Sequence, residues 1–274
     1  MQPTFVVMTD LSRSAEAALT YTTRLAQRLD GRLVLLHVFL DPVLEPEISM
    51  VAAPILVASR QEIMTNMVQR ASTLPVPADT EVVVDVLSTA LANVVQQHHP
   101  LLLALGREEP DNVLDRLVGN RALPILQDAH HPLLVVPESW HDTELPQRIV
   151  VATDAHPFTL SAPSLELEEL FKALQPTTTV VHVTSGSGPS QAEVGLASVQ
   201  RTGLFGSLSS NSLYEVCEEA PADGILHAAS ELQAQLIVML ARPHTFLGGL
   251  FHRSITAQIL RRSPVPVLVL PTNK

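Results

Sequence analysis

The chain contains the same series of four short apolar segments twice, and this internal repeat constrains its fold more than any other feature. The two copies share a Thr-Asp ending, a His-Val ending and a pair of bracketing prolines, at offsets of 144, 145, 135 and 134 residues. In chain order, the matched segments are Phe5–Asp10 with Ile149–Asp154, Leu35–Val38 with Val180–Val183, Leu102–Arg107 with Ile237–Arg242, and Pro132–Pro137 with Pro266–Pro271. Four matches in one order indicate a tandem duplication.

The repeat predicts two domains of similar structure, a first domain over residues 1–138 and a second over residues 147–274. The segment between them, residues 139–146, is polar and holds the only tryptophan, Trp140. Such composition between two repeats is typical of a short linker.

Within each half, apolar runs of four to six residues alternate with amphipathic segments. Runs without polar alternation are typical of strands buried on both faces, and strand–helix alternation favours a parallel sheet with helices on both sides. In the first half we predict a helix from Ser12 to Gly31, helices over Met50–Leu74, Ala90–His98 and Val118–Ala129, and strands over Phe5–Met8, Glu81–Val86, Leu101–Gly106 and Leu133–Val136. The second half follows the same order, except that Ser185–Ser212 is rich in Ser and Gly and is predicted to be a loop.

Composition excludes several classes of protein. A net charge of −11 makes nucleic acid an improbable partner, and apolar runs such as Leu101–Leu105 are far too short to span a membrane. The single cysteine, Cys217, excludes an internal disulfide and is expected to be a small core residue. Because a strand-like segment begins at Phe5, we expect no signal peptide. We therefore expect a cytoplasmic protein with no nucleic-acid or membrane partner.

The repeated segments resemble the universal stress protein family in its tandem form. The resemblance rests on a first strand ending in Thr-Asp, a second ending in His-Val, a fourth entering a glycine loop, and a last strand entered through Pro. It implies an α/β fold with two doubly wound, parallel five-stranded sheets of order 3-2-1-4-5, adenine-nucleotide alpha-hydrolase-like and related by a pseudo-twofold axis. It also implies that the terminal strands, Leu133–Val136 and Val267–Leu270, pair within the chain, with a further homodimer left open.

Nucleotide-binding members of this family carry the pattern G-x2-G-x9-G-[ST] after the fourth strand, where glycines let backbone N–H groups reach phosphates. The aspartate ending strand one would contact adenine or ribose, and the valine ending strand two would pack on the base. In the first half, the resemblance implies the candidate nucleotide-binding residues Asp10, Val38, Gly106, Gly119 and Asn120.

Both loops depart from the pattern. In the first half, Glu109 replaces the second glycine, Asn120 replaces Ser/Thr, and Glu108 and Asp111 add negative charge where phosphates would lie. In the second half, the glycines are replaced by non-glycine residues, which leaves a degenerate set of candidates. That degenerate set is Asp154, Val183 and Ser254, with Leu240, Pro243 and Arg253 at the glycine positions.

Each candidate also has a purely structural interpretation. Asp10, Asp154 and Ser254 are typical helix-capping residues, and Gly106 and Gly119 would serve in tight turns. Two histidine pairs precede neighbouring strands, His98-His99 and His130-His131. Imidazole pairs suit zinc or nickel, but no carboxylate stands at ligand spacing in sequence, so we expect no metal site.

The chain lacks the sequence motifs of common enzymes. It contains no G-x-S-x-G, no Walker lysine, no H-E-x-x-H and no G-x-G-x-x-G. The leading hypothesis is a non-enzymatic stress-response protein that acts as a scaffold or sensor for an unknown protein partner. It needs no cofactor and binds ATP weakly or not at all. Two alternatives stay open: an ATP-binding, slowly hydrolysing protein that uses the first-domain cleft, and a small-ligand or metal binding module.

Overall fold

A computed structural model describes residues 2–39, 53–108, 130–142, 144–154, 156–184, 190–242 and 254–273, without side chains at 53–59. Its strands are β1 Thr4–Met8, β2 Arg32–Phe39, β3 Ala78–Val84, β4 Leu102–Arg107, β5 Leu133–Pro137, β6 Arg148–Thr153, β7 Thr177–Thr184, β8 Leu213–Cys217, β9 Leu236–Ala241 and β10 Val267–Pro271. Its helices are α1 Arg13–Arg28, α2 Ala53–Ser72, α3 Leu87–His98, α4 Ala162–Leu165, α5 Glu168–Leu174, α6 Ala192–Thr202, α7 Pro221–Glu231 and α8 Ile255–Arg262. The predicted helix Val118–Ala129 lies outside the described residues.

The strands form one ten-stranded sheet in the order β3-β2-β1-β4-β5-β10-β9-β6-β7-β8. Within each half every neighbouring pair is parallel and the order is 3-2-1-4-5, which confirms the predicted fold class. At the centre, β5 and β10 pair antiparallel, with Val135 opposite Val267 and Leu134 opposite Leu268. The predicted meeting of the terminal strands is therefore confirmed, and its antiparallel register is what an approximate twofold axis through the sheet produces.

The core consists of one apolar layer on each face of the sheet. Along β1, Phe5 and Val7 belong to one layer, and Val6 and Met8 belong to the other. This is the arrangement that continuous apolar runs predict, because successive side chains of a strand point to opposite faces. Among the described residues, none of the helices combines the length and the apolar character needed to cross a membrane.

Two predictions from composition are wrong. The predicted loop at Ser185–Ser212 contains helix α6, because Ala192, Leu196 and Val199 form a buried stripe at helical spacing, and Gly203 ends the helix at φ +68°. Cys217 is exposed rather than part of the core, because it is the last residue of β8, an edge strand of the sheet.

The sheet register also corrects the third repeat by one residue. Phe5 of β1 lies opposite Leu102 of β4, and the equivalent Ile149 of β6 lies opposite Leu236 of β9. The offset between β4 and β9 is therefore 134 residues and not 135. Consequently Arg107 corresponds to Ala241, and Arg242 lies one position beyond the end of β9.

Two arginine side chains of the first domain donate hydrogen bonds to backbone carbonyls of the second domain. Arg107, which is 4% exposed, donates from two guanidinium nitrogens to the carbonyls of Arg261 and Ser263, both at 2.6 Å, at the C-terminal end of α8. Arg28 of α1 donates twice to Ala173 O, at 2.7 and 2.9 Å, at the end of α5. Cations are favourable at helix C-termini, where carbonyls lack helical partners.

Candidate functional site

The predicted first-domain residues that are described lie together at the carboxyl ends of β1, β2 and β4. Met8 is opposite Leu36 and Val7 is opposite Ala104. Asp10 follows the end of β1, Val38 lies near the end of β2, and Gly106 lies near the end of β4. The two remaining candidates, Gly119 and Asn120, lie outside the described residues.

Asp10 shapes the turn between β1 and α1, but it does not cap the helix. Its Oδ1 accepts from the Ser12 N–H at 3.1 Å across Leu11, whose φ is +63°. The cap itself is Ser12, whose Oγ accepts from the Ala15 N–H at 3.2 Å. The capping interpretation of Asp10 is therefore wrong, because the turn places the helix start two residues later.

Gly106 lies inside strand β4 rather than in a turn, so that interpretation is also wrong. A Cβ at this position would lie 1.9 Å from Ser14 O and 2.7 Å from Ala15 N. The first turn of α1 thus rests directly on the end of β4, and only glycine leaves room for it.

Two histidines that the sequence analysis did not select fix the backbone before each aspartate. His37 Nδ1 lies 2.7 Å from Thr9 O, and His182 Nδ1 lies 3.3 Å from Thr153 O. Because a carbonyl only accepts, each Nδ1 must carry the proton. The recurrence of His-Val together with Thr-Asp in both halves was the sequence feature that could have revealed this contact.

In the second domain, the aspartate that ends the first strand is held by an arginine. Asp154 receives Arg242 Nη2 at 2.7 Å and Nε at 3.0 Å, and the His156 N–H at 3.0 Å. Arg242 Nη2 also donates to His156 O at 2.7 Å. The ion pair therefore stands where the resemblance places a ligand contact, and the capping interpretation of Asp154 is wrong, because Ser161 caps the helix that follows.

The pKa of Asp154 reflects these partners. Burial would raise the pKa of this carboxyl. The hydrogen bonds from Arg242 and from the His156 N–H, together with the electrostatic attraction of these two residues, instead hold the pKa below its usual range. Asp154 is consequently an ionised, paired carboxylate at neutral pH. A carboxylate in this state is a poor general base.

The second-domain loop has also lost the close packing that requires glycine. Helix α1 begins three residues after Asp10, whereas α4 begins eight residues after Asp154. The longer connection moves the helix start along the chain, and Leu240 occupies the position that corresponds to Gly106.

The other two second-domain candidates have structural roles. Ser254 caps α8, because its Oγ accepts from the Ala257 N–H at 3.1 Å, which confirms the capping interpretation. Val183 packs against α7, where a Cβ on Gly224 would lie 2.7 Å from Val183 Cγ1.

One histidine of each pair has a hydrogen-bond partner in the described part of the chain. His98 Nε2 lies 2.5 Å from Glu81 Oε1, a carboxylate from β3 that sequence spacing does not reveal. His131 Nε2 lies 2.5 Å from Pro100 O, and burial lowers the pKa of this imidazole. In the part of the chain that the structure describes, no three His, Cys, Asp or Glu side chains are placed to hold a metal ion.

Comparison with known proteins agrees with this architecture. The chain is similar to a universal stress protein from Archaeoglobus fulgidus DSM 4304, with 18% identity, a TM-score of 0.65, and coverage of 99% of this chain and 97% of that one. It is also similar to a functionally unknown protein from Pseudomonas aeruginosa PAO1, with 18% identity, a TM-score of 0.61, and coverage of 99% and 93%. A third match is the cytoplasmic domain of a prokaryotic cation chloride cotransporter, with 10% identity, a TM-score of 0.50, and coverage of 98% and 95%. At these identities the likeness shows the fold alone.

A search of curated proteins finds no match. The sequence profile of the universal stress protein family, however, matches the chain twice, over residues 1–137 and 146–271. The two matches lie on either side of the segment that joins the halves, and together they span nearly the whole sequence. The chain therefore belongs to the universal stress protein family.

Proposed function

We propose that this protein is a non-enzymatic, cytoplasmic scaffold or sensor in the stress response, and that its second domain does not bind nucleotide. Family membership supports the stress-response role. The absence of a catalytic motif from the sequence supports a role without chemistry.

The observation that carries the proposal is the Arg242–Asp154 pair. Two guanidinium nitrogens hold both carboxylate oxygens of Asp154 at 2.7 and 3.0 Å. A nucleotide that binds to Asp154 would have to break this charge-assisted, bidentate interaction before it could form a hydrogen bond with the carboxylate. Leu240, in place of the first glycine, adds a side chain where the backbone would have to approach a phosphate.

A second candidate function, ATP binding by the first domain, is favoured by one observation. Asp10 follows β1 and Val38 lies near the end of the adjacent strand β2, and the carboxyl ends of parallel strands are the usual ligand edge of such sheets. The acidic residues Glu108 and Glu109 after β4 oppose a triphosphate, so we propose weak binding at most.

Calorimetric titration with Mg-ATP at physiological salt tests both statements. Asp10→Asn and Asp154→Asn form a matched pair, because they change equivalent positions of the two domains. We expect wild type to bind weakly or not at all, Asp154→Asn to change nothing, and Asp10→Asn to abolish any binding observed. The combined variant Glu109→Gly, Asn120→Ser should bind more tightly, because it removes a charge and restores a hydroxyl.

The outcomes that contradict the proposal are equally specific. Wild-type binding in the low micromolar range or tighter contradicts the weak first site. Loss of binding in Asp154→Asn contradicts the closed second site. Phosphate release from ATP above the rate in protein-free buffer contradicts the non-enzymatic role.

A further inference from the structure

A cleft of about 610 Å³ lies between helix α1 and the segment that leads from the first domain into the linker. One wall is α1 with the turn before it, and the other consists of Glu138, at the end of the first domain, and linker residues 139–142. This volume is within the range of small-molecule pockets. Neither Val38 nor Gly106 lines the cleft, so it is a different site from the candidate nucleotide edge.

The linker wall is held in place from both domains. Arg24 of α1 donates to Asp142 O at 3.1 Å, and Gln235 of the second domain donates to Asp142 Oδ2, also at 3.1 Å. The Glu138 N–H donates to Arg107 O at 2.8 Å. These bonds make the cleft a feature of the docked domains rather than a gap beneath a loose segment.

Two polar atoms of the cleft residues are buried without a partner. Tyr21 Oη and Trp140 Nε1 make no hydrogen bond within the described part of the chain, although Tyr21 is only 4% exposed. Buried polar groups are nearly always paired, so an unpaired one calls for a missing partner.

Both atoms call for the same kind of partner. The indole N–H can only donate. Burial, and then the nearby Asp142 carboxylate, raise the pKa of Tyr21, so its hydroxyl keeps its proton. The missing partner is therefore a hydrogen-bond acceptor.

The charges around the cleft balance. Arg70 binds Glu16, with its shortest contact at 2.9 Å. The remaining lining charges are Arg13 and Arg24 on α1, and Glu138 and Asp142 on the linker. Two positive and two negative groups favour a ligand without net charge.

We propose that this cleft binds a neutral, planar aromatic compound whose carbonyl oxygen accepts hydrogen bonds from Tyr21 and Trp140. The aromatic body would lie along Ala17 and the apolar part of α1, beside the indole. Because both donor atoms are covered in the unliganded protein, binding shifts the Trp140 side chain until the carbonyl can reach them. This site would let a universal stress protein sense a small molecule independently of nucleotide.

The single tryptophan makes the proposal directly observable. In ¹⁵N-labelled protein, Trp140 gives the one indole N–H signal, which moves downfield when that group donates a hydrogen bond. We would titrate the full chain with naphthalene-2-carboxamide, and with naphthalen-2-ylmethylammonium as a matched probe that has no acceptor. We expect a saturable downfield shift with the carboxamide and none with the ammonium compound.

The two tyrosines of the chain supply a matched pair of variants. Tyr21→Phe removes one donor and should weaken carboxamide binding about fivefold to tenfold. Its melting temperature should equal or exceed that of wild type, because the deleted hydroxyl has no partner. Tyr214→Phe, on the edge strand β8, should leave the affinity unchanged.

Four results would overturn the proposal. They are no saturable indole shift up to the solubility limit of the carboxamide, equal binding of the ammonium probe, unchanged affinity in Tyr21→Phe, and a lower melting temperature in Tyr21→Phe. The last result would mean that the hydroxyl already has a partner in the unliganded protein.

Discussion

The two arginines that follow β4 and β9 offer a sharp test of how the domains are joined. Arg107 is the last residue of β4 and lies buried against the second domain, whereas Arg242 lies one residue beyond β9 and pairs with Asp154 at the open edge. Because successive residues of a strand point to opposite faces, this shift of one position sends the two side chains to different surroundings. We therefore predict that Arg107→Met destabilises the protein strongly and that Arg242→Met does not.

The magnitudes follow from burial and partners. Arg107→Met keeps most of the apolar stem but removes two charge-assisted hydrogen bonds at 2.6 Å and leaves the carbonyls of Arg261 and Ser263 without these donors. Each such bond contributes roughly 1.5–3 kcal/mol, and relief of the desolvation of a buried charge offsets part of the loss. We expect a decrease of about 2–4 kcal/mol in the free energy of unfolding. The side chains of Arg242 and Asp154 are 30% and 50% exposed, so their pair contributes about 1 kcal/mol or less.

Urea unfolding measures the two variants. Circular dichroism follows the whole chain, and Trp140 fluorescence follows the linker at the domain junction. In Arg107→Met we expect the fluorescence transition to shift to lower urea at least as far as the dichroism transition, because the junction loses its buried anchor. If Arg107→Met lies within about 1 kcal/mol of wild type, or is no more destabilised than Arg242→Met, the interdomain role of Arg107 is refuted.

Three further predictions concern the joint, the aspartate and the glycine. Val135→Pro or Val269→Pro removes a backbone donor at the β5–β10 joint, and limited proteolysis should then cut the linker, residues 139–146, faster than in wild type. Unchanged protection would place the domain contact elsewhere. The pKa of Asp154 is lower in the folded protein than in the unfolded chain, where it is about 4. The stability that the Asp154–Arg242 ion pair contributes is therefore fully present above about pH 4, and it is lost as the pH falls through the pKa of the folded state. The difference in unfolding free energy between wild type and Asp154→Asn should therefore shrink below about pH 4, and a difference that grows there would contradict the assignment. Gly106→Ala brings a Cβ to 1.9 Å from Ser14 O and should lower the free energy of unfolding by more than about 3 kcal/mol. Gly203→Ala, which has open space around it but a φ of +68°, should lower it by about 1 kcal/mol. Equal losses in thermal unfolding would show that α1 does not rest on β4 as described.

Most of the fold was predictable because its causes are local or repeated. Continuous apolar runs such as Phe5–Met8 predict strands buried on both faces, and the duplicated order of these runs predicts two equivalent sheets. Composition was a weaker guide in the Ser- and Gly-rich segment before β8. There the buried stripe of Ala192, Leu196 and Val199 forms a helix despite the polar residues around it.

The candidate site was predictable only in part. Asp10, Val38 and Gly106 lie at or just after the carboxyl ends of adjacent parallel strands, as the strand order predicts. Their roles were not predictable, since each depends on what another element places beside it. The Ser14 carbonyl makes Gly106 necessary, and Arg242, which follows a strand far along the chain, pairs with Asp154.

The sequence by itself determined the duplication and the parallel α/β class, because repeats and unbroken apolar runs are properties of each segment. The pairing of the terminal strands was predicted from the resemblance to the family, which supplied the strand order. Only the tertiary structure decided the one-residue register between β4 and β9, which buries Arg107 and leaves Arg242 at the open edge. It also decided that Cys217 is exposed and that Tyr21 and Trp140 share a cleft. The physical reason is that hydrogen bonds, ion pairs and close packing join residues far apart in the chain, and their geometry exists only once the elements are assembled.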